Sequence, residues 1–299
     1  MSPSKIFVTT ATGVQGGGVV RHCLRDGHTV YALVRDPLSE AAKSLSDLGA
    51  HLVEGSLEDV ESLIKGMQNT DAAFLNLPGS GPKGMPPNVE YTENFIKAAK
   101  AASVPWIFCS TVVNAGKHEA IPGWGPDNLM YKYWLVKDAI ENLVRGSGLP
   151  RWTILRPATF LQNLKPPLGQ YCFPGFEERK VLRTAYDPKA KIGWIDGADV
   201  GKAVAKALSD PEKYSGKEID LAAENLTIGE LAEEIGKGLG KPVTLEPYTD
   251  DEIAKMGPNI QITAQTWASA VPTGDSAETA SVEFGLTTVK EFFARDSRT

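Results

Sequence analysis

The sequence predicts an α/β fold: an open, doubly wound parallel sheet followed by a smaller C-terminal lobe on the substrate side. Three observations carry this expectation. Short apolar runs alternate with amphipathic stretches through the first half, the pattern of βα units feeding a parallel sheet. A glycine-bearing turn at residues 10–16 stands between the first apolar run and the first helical stretch. After Arg156 the alternation gives way to a segment rich in Pro, Gly and aromatic residues, Gln162 to Lys191.

Composition narrows the class. A chain of 299 residues with 42% hydrophobic and 23% charged residues can bury a sizeable core. A net charge of −6 without any dense Lys/Arg run argues against nucleic acid as a direct partner. No apolar run reaches the length of a membrane span, and a strand begins almost at Met1, where a signal peptide would stand. A cytoplasmic location is expected, with the nucleus open. Cys23, Cys109 and Cys172 are too few and too scattered for a disulfide framework, and Cys23 and Cys109, inside apolar patterns, read as small hydrophobes. The histidines 22, 28, 51 and 118 are too dispersed for a metal site. His118, in the loop before the longest helix, faces either substrate or solvent.

In order, the strands read as Lys5–Thr10, Thr29–Val34, His51–Glu54, Ala72–Leu77, Trp106–Ser110 and Thr153–Leu155. Helices read as Gly16–Asp26, Leu57–Gly66 and Val89–Ala102, then a long one from Asn128 that ends at Gly146 and Gly148. Further helices follow at Ala198–Leu208 and Ile228–Leu239, the last opened by Thr227 with Glu230 three residues on. Gly79–Pro87 is a turn-rich loop after the fourth strand, read either as a ligand-side loop or as a plain connection. The division expected is 1–156 for the sheet domain and 157–299 for a discontinuous lobe that shares sheet strands with it.

The first turn reads Thr10-Ala-Thr12-Gly13-Val14-Gln15-Gly16. Glycines let backbone approach a pyrophosphate, and the helix that follows offers free N–H groups and a positive dipole end. This reads as a Rossmann-type dinucleotide loop with Thr10 in place of its first glycine, so a β carbon must be accommodated at the tight turn; the other reading is a tight αβ turn with no ligand. NAD-binding folds put an acid at the end of the second strand, on the ribose 2′-hydroxyl. Here Arg35 stands there instead, suited to a 2′-phosphate, and NADP(H) is expected over NAD. Asp36 next to it either pairs with Arg35 or points away.

In the long helix, Leu129, Tyr133, Val136, Ile140, Leu143 and Val144 form an apolar stripe, with Asp138, Asn142 and Arg145 opposite. Lys137 falls within the stripe. It either meets a ligand hydroxyl or snorkels to water. With Tyr133 one turn earlier it makes Y-x-x-x-K, in which a cation favours the phenolate and lowers the tyrosine pKa. A core aromatic is the other reading of Tyr133. Ser110 and Thr111, at the end of the preceding strand, are the two candidates for polarising a carbonyl.

Taken together, ATGVQG, HLVEGSLED, FIKAAKAASVPWIFCST, LVKDAIENLVRGSGLPRWTILRPATFLQN, IGWIDGADVGKAVAKAL and ENLTIGELAEEIGKGLGKPV resemble the NmrA-like branch of the short-chain dehydrogenase/reductase superfamily, over most of the chain to about residue 250. The resemblance implies six or seven parallel strands, a C-terminal lobe and NADP(H). It implies that Thr10, Thr12, Gly13, Val14, Gln15 and Gly16 line the pyrophosphate, with Arg35 on the 2′-phosphate. Ser56, which replaces the usual aspartate, and Leu57 would flank the adenine. Leu77 would follow the adenosine ribose, Lys137 the nicotinamide ribose, and Pro157 and Phe160 would lie beside the nicotinamide; core packing is the other role open to Phe160.

NmrA-like proteins include reductases and redox-sensing regulators that have lost the tyrosine. Tyr133 at the enzyme spacing favours an NADPH-dependent reductase of a small aromatic or quinone-like carbonyl or enone. Tyr171, Phe173, Phe176, Trp124 and Trp194 are candidates to wall its apolar pocket. The alternative is a non-catalytic NADP(H) sensor acting through a protein partner. A third reading is an epimerase or lyase that holds its cofactor tightly.

Overall fold

The computed structural model describes residues 3–79, 84–121, 123–271 and 276–295. Residues 80–83 of the Gly79–Pro87 loop therefore lie outside the described residues. In chain order the first elements are β1 (Lys5–Val8), α1 (Val14–Arg25), β2 (Thr29–Val34), α2 (Glu40–Asp47), β3 (His51–Glu54) and α3 (Val60–Met67). Next come β4 (Ala72–Leu75), α4 (Asn88–Ala101), β5 (Trp106–Ser110), α5 (Tyr131–Arg145) and β6 (Arg151–Pro157). The chain continues through β7 (Thr159–Phe160), the single turns α6 (Gly169–Cys172) and α7 (Phe176–Arg179), β8 (Val181–Thr184) and β9 (Ile192–Ile195). It closes with α8 (Val200–Ser209), α9 (Pro211–Tyr214), β10 (Lys217–Leu221), β11 (Glu224–Leu226), α10 (Ile228–Leu239), β12 (Thr244–Pro247), α11 (Asp250–Met256), α12 (Ile260–Ala270), α13 (Ser276–Phe284) and α14 (Val289–Ala294).

Seven strands form one sheet in the order β10-β6-β5-β4-β1-β2-β3. Pairings from β3 across to β6 are parallel, with Phe7 opposite Tyr31 on one side and Ala73 on the other. The central strands β1, β4 and β5 are almost wholly buried, so they read as continuous apolar runs rather than alternating ones. Helices cover them: Leu63, Met67, Phe95, Ile140 and Val144 join Phe7, Ile107 and Ile154 in one core cluster.

Several boundaries differ from the sequence reading for identifiable reasons. The helix expected from Leu57 begins at Val60, because Asp59 caps it by accepting from the N–H groups of Glu61 and Ser62. α5 begins at Tyr131 rather than Asn128, whose side chain accepts from Met130 N across 2.8 Å. The short helix α2 went unpredicted; eight residues with two buried side chains give little periodic signal. Thr227 and Glu230 form the expected capping box of α10.

Two compact units divide the chain: Met1–Val112, Val136–Arg156 and Ala198–Ile219 make the first, and Val113–Leu135, Pro157–Gly197 and Asp220–Thr299 the second. Each unit is discontinuous in sequence. β10 returns to flank β6, and α8 packs on α1 through two glycines: a Cβ on Gly18 would stand 2.2 Å from the Ala198 carbonyl oxygen, and one on Gly201 2.3 Å from Gly18 backbone. The second unit has its own core, in which Phe173, Phe176, Trp194, Leu231 and Phe293 meet. Among the described residues no helix is long and apolar enough to cross a membrane.

Candidate functional site

β1 ends at Val8 and the chain turns into α1 over five residues. Thr10 takes φ 45°, the left-handed region that L residues with a branched β carbon avoid. Gly13 N donates to Thr10 O across 2.9 Å and closes the turn. Gly16 lies beneath it, where a Cβ would stand 2.3 Å from Thr10 O and 2.8 Å from Thr9 O. Only glycine fits there. The N-cap Gly13 offers no side-chain cap and the first turn of α1 carries no acid, while Thr12, Gly13 and Val14 are exposed. A helix start of this kind presents backbone N–H groups and a positive dipole end to an anion.

The strand order reverses between β4 and β1, the switch point where open α/β sheets bind ligands beyond their carboxyl ends. Four side chains are hydrogen-bonded in series across this edge. Asn76 Nδ2 donates to Thr10 Oγ1 at 2.8 Å, and Gln15 Nε2 donates to Asn76 Oδ1 at 3.1 Å. Ser110 Oγ donates to Gln15 Oε1 at 2.5 Å. Asn76 is itself fixed, because its N–H donates to Thr9 Oγ1 at 2.9 Å. The first of these bonds helps offset the strain of the left-handed threonine.

Arg35 follows β2 and is exposed. Asp36 accepts from Leu38 N at 2.8 Å, so of the two orientations left open it turns to its own loop. Beyond β3, Ser56 Oγ accepts from Glu58 N at 3.3 Å, and Leu57 is buried with its carbonyl accepting from Asn94 Nδ2 at 3.1 Å. Leu77, past β4, is buried as well.

On α5, Tyr133 and Lys137 lie one turn apart on one face. Burial pushes the Tyr133 phenol up to about 12. The expectation of a lowered phenol pKa is thus corrected: desolvation outweighs any help from the lysine. Burial also lowers the Lys137 ammonium, with Cys109 and Glu141 acting the other way. Trp134, not Leu129, fills the inward face. It is 2% exposed, against 43% for Leu129, and sits edge-on to Tyr133 and stacked on Trp267.

One turn past Lys137 lies Glu141, which has no solvent exposure. Thr111 Oγ1 donates to it at 2.6 Å, Arg156 grips both its oxygens at 2.9 and 2.5 Å, and Arg145 adds a bond at 2.6 Å. Glu218 on β10 binds both arginines. The Thr111 proton is thus given to Glu141 and the Ser110 proton to Gln15. Sequence reasoning did not single out Glu141 or Asn76. The spacing 133, 137, 141 places the glutamate on the lysine's face and was the available signal.

In the second unit, Pro157 accepts from Val113 N at 3.2 Å and Phe160 is half-buried in β7. Of the residues expected to wall a pocket, Phe173, Phe176 and Trp194 are core, because the apolar contacts of this unit close around them. Tyr171 is 66% exposed. Trp124 lies between His118 and Tyr131, with tilted rings at 4.6 and 4.7 Å, and His118 is buried, neither solvated nor in an open loop. The three cysteines are free, and among the described residues no group of three or more His, Cys, Asp or Glu could hold a metal ion.

The model described as the NmrA-like family matches residues 2–292. The chain belongs to the NmrA-like family. This NmrA-like chain is 26% identical over 211 residues to "Probable pinoresinol-lariciresinol reductase 3" of Arabidopsis thaliana, covering 70% of itself and 64% of that relative. It thus spans less than two thirds of that protein's length. Its fold matches NmrA, a negative transcriptional regulator solved in complex with NADP, with TM-score 0.75 and 20% identity over 98% of this chain and 95% of that one. It also matches the NADPH-dependent quinone oxidoreductase QOR2 of Escherichia coli, solved with NADPH, with TM-score 0.74 and 24% identity over 97% and 99% of the two chains.

Proposed function

We propose that this NmrA-like protein binds NADP(H) at the carboxyl edge of its seven-stranded sheet and reduces a small aromatic or quinone-like carbonyl or enone. The observation that carries the reading is the placement of Tyr133 and Lys137 one turn apart on α5, each with its ionisation governed by burial. The phosphate turn fits a diphosphate, since the position that Gly16 leaves without a Cβ brings backbone close beneath the start of α1. Thr10, Thr12, Gly13, Val14, Gln15 and Gly16 would hold the pyrophosphate and Arg35 the 2′-phosphate. Ser56, Leu57 and Leu77 are carried as adenosine contacts, and Pro157 and Phe160 as nicotinamide contacts.

The bound dinucleotide supplies the hydride. The chain's own part is to hold and release a proton. Tyr133 keeps its phenol proton throughout the physiological range and presents it to a substrate oxygen that gains negative charge. Lys137 supplies positive charge one turn away and donors for ribose hydroxyls. Purified protein that oxidises NADPH with quinones or aromatic ketones, and loses about 10²–10⁴-fold in kcat with Tyr133→Phe, supports the reading. Equal turnover by that variant contradicts it.

A second reading, a non-catalytic NADP(H) sensor acting through a protein partner, is favoured by one observation. Ser110 and Thr111 both spend their hydroxyl protons inside the protein, which leaves no serine or threonine donor at the end of β5 for a carbonyl. A sensor must bind the oxidised and reduced cofactors with different affinity, so equal affinities would sink it.

A further inference from the structure

The side chains of Ser110, Gln15, Asn76 and Thr10 span three neighbouring strands, β5, β4 and β1, at their carboxyl ends. Every bond in the series runs the same way. Ser110 gives its proton to Gln15, Gln15 gives an amide hydrogen to Asn76, and Asn76 gives one to Thr10. The two amides make this polarity collective. A primary amide has its acceptor and its donors at opposite ends, so reversing one bond requires both amides to turn over and reverses all three. In the reversed state Thr10 would donate to Asn76, Asn76 to Gln15 and Gln15 to Ser110, freeing the Ser110 proton.

We propose that this series is a hydrogen-bond relay through which an anion on the phosphate turn fixes Ser110 as an acceptor, so that Ser110 meets a donor group of the ligand, an amide or a hydroxyl, rather than polarising a carbonyl. The inference rests on the dinucleotide reading above. A phosphate oxygen takes only donors, so a Thr10 hydroxyl beside one turns its proton outward and keeps a lone pair for Asn76. That selects the observed direction. The relay also supports the left-handed Thr10, since losing the Asn76 bond removes a side-chain hydrogen bond that holds its hydroxyl. Gln15 and Asn76 are then positioning residues, acting through Thr10 and Ser110.

The test is a calorimetric cycle of NADPH affinity on the full chain with Ser110→Ala, Asn76→Ala and Gln15→Met. The methionine keeps length and removes both amide bonds. In the wild-type background Ser110→Ala is expected to weaken binding about three- to tenfold, the size of coupling that residues in one hydrogen-bond network show. With Met at position 15 the same change is expected to alter affinity less than about twofold. If Ser110→Ala costs equally with Gln or Met at 15, or nothing with Gln, the relay is overturned while the dinucleotide reading stands. No binding of NADPH by the wild type overturns both. Should Asn76→Ala fail to fold, the Ser110 and Gln15 variants complete the cycle by themselves.

Discussion

Thr111 donates its hydroxyl to Glu141 across 2.6 Å, and Glu141 has no exposure to solvent. This bond ties the end of β5 to the middle of α5, and Arg156 ties the same carboxylate to β6. The part of α5 that carries Lys137 and Glu141 is thereby tied to the sheet. A buried carboxylate is tolerated only because its charge is matched and its oxygens are filled.

Removing it therefore leaves the guanidinium groups of Arg145 and Arg156 to share the single carboxylate of Glu218. Glu141→Ala is expected to cost about 3–5 kcal/mol in urea unfolding, the usual size for breaking a buried pair from one side. Thr111→Val removes one neutral donor and is expected to cost about 1–3 kcal/mol. A Glu141→Ala protein within 1 kcal/mol of wild type (roughly the cost of one ordinary hydrogen bond) would contradict the role given to this network.

The phosphate turn yields a contrast between two glycines. Gly16→Ala forces a Cβ to 2.3 Å from backbone oxygen that cannot swing away, and is expected to cost about 2 kcal/mol or more and to weaken NADPH binding. Gly27 has φ 85° with open space around it, so Gly27→Ala is expected to cost only the conformational strain, about 1–2 kcal/mol, with NADPH affinity unchanged. Thermal unfolding and calorimetry on the two variants check both halves.

The pH dependence separates Tyr133 from Lys137. The raised phenol stays protonated as pH passes 10.0, so its loss sets in only toward about 12. The stability that its burial gives to the protonated form is present below pH 10.0 and lost as pH rises through about 12. Lys137 is lowered, so its ammonium discharges below 10.5. The alkaline fall in kcat is therefore expected below pH 10.5 and belongs to the lysine. Lys137→Arg, which holds its charge, should move that limb upward. An unmoved limb would assign it elsewhere.

Much of the sheet unit was legible because parallel strands and their helices leave strong local marks. The runs Thr29–Val34 and Trp106–Ser110 and the box Thr227–Glu230 appear in the structure with the bounds read from the residues. The glycine turn was legible for the same reason, and Thr10 was already marked by the glycine it replaces. Side-chain partnerships across distant strands were not legible. Nothing in the sequence joins Ser110 to Gln15, 95 residues away, or Glu141 on α5 to Arg156 on β6. The second unit hid its core for a related reason: Phe173, Phe176 and Trp194 sit in irregular segments and short strands whose periodicity is too brief to tell an inward face from a pocket wall.

The central claim is that the turn before α1 and the guanidinium after β2 together hold NADP(H), and titration calorimetry with NADPH and NADH on wild type and Arg35→Ala tests it most directly. Wild type is expected to bind NADPH more tightly than NADH. Arg35→Ala should lose about ten- to a hundredfold in NADPH affinity, the range of a hydrogen-bonded charge, with NADH affinity within about twofold of wild type. Folded wild-type protein that gives no heat with NADPH, or an Arg35→Ala variant that binds NADPH as wild type does, would contradict it.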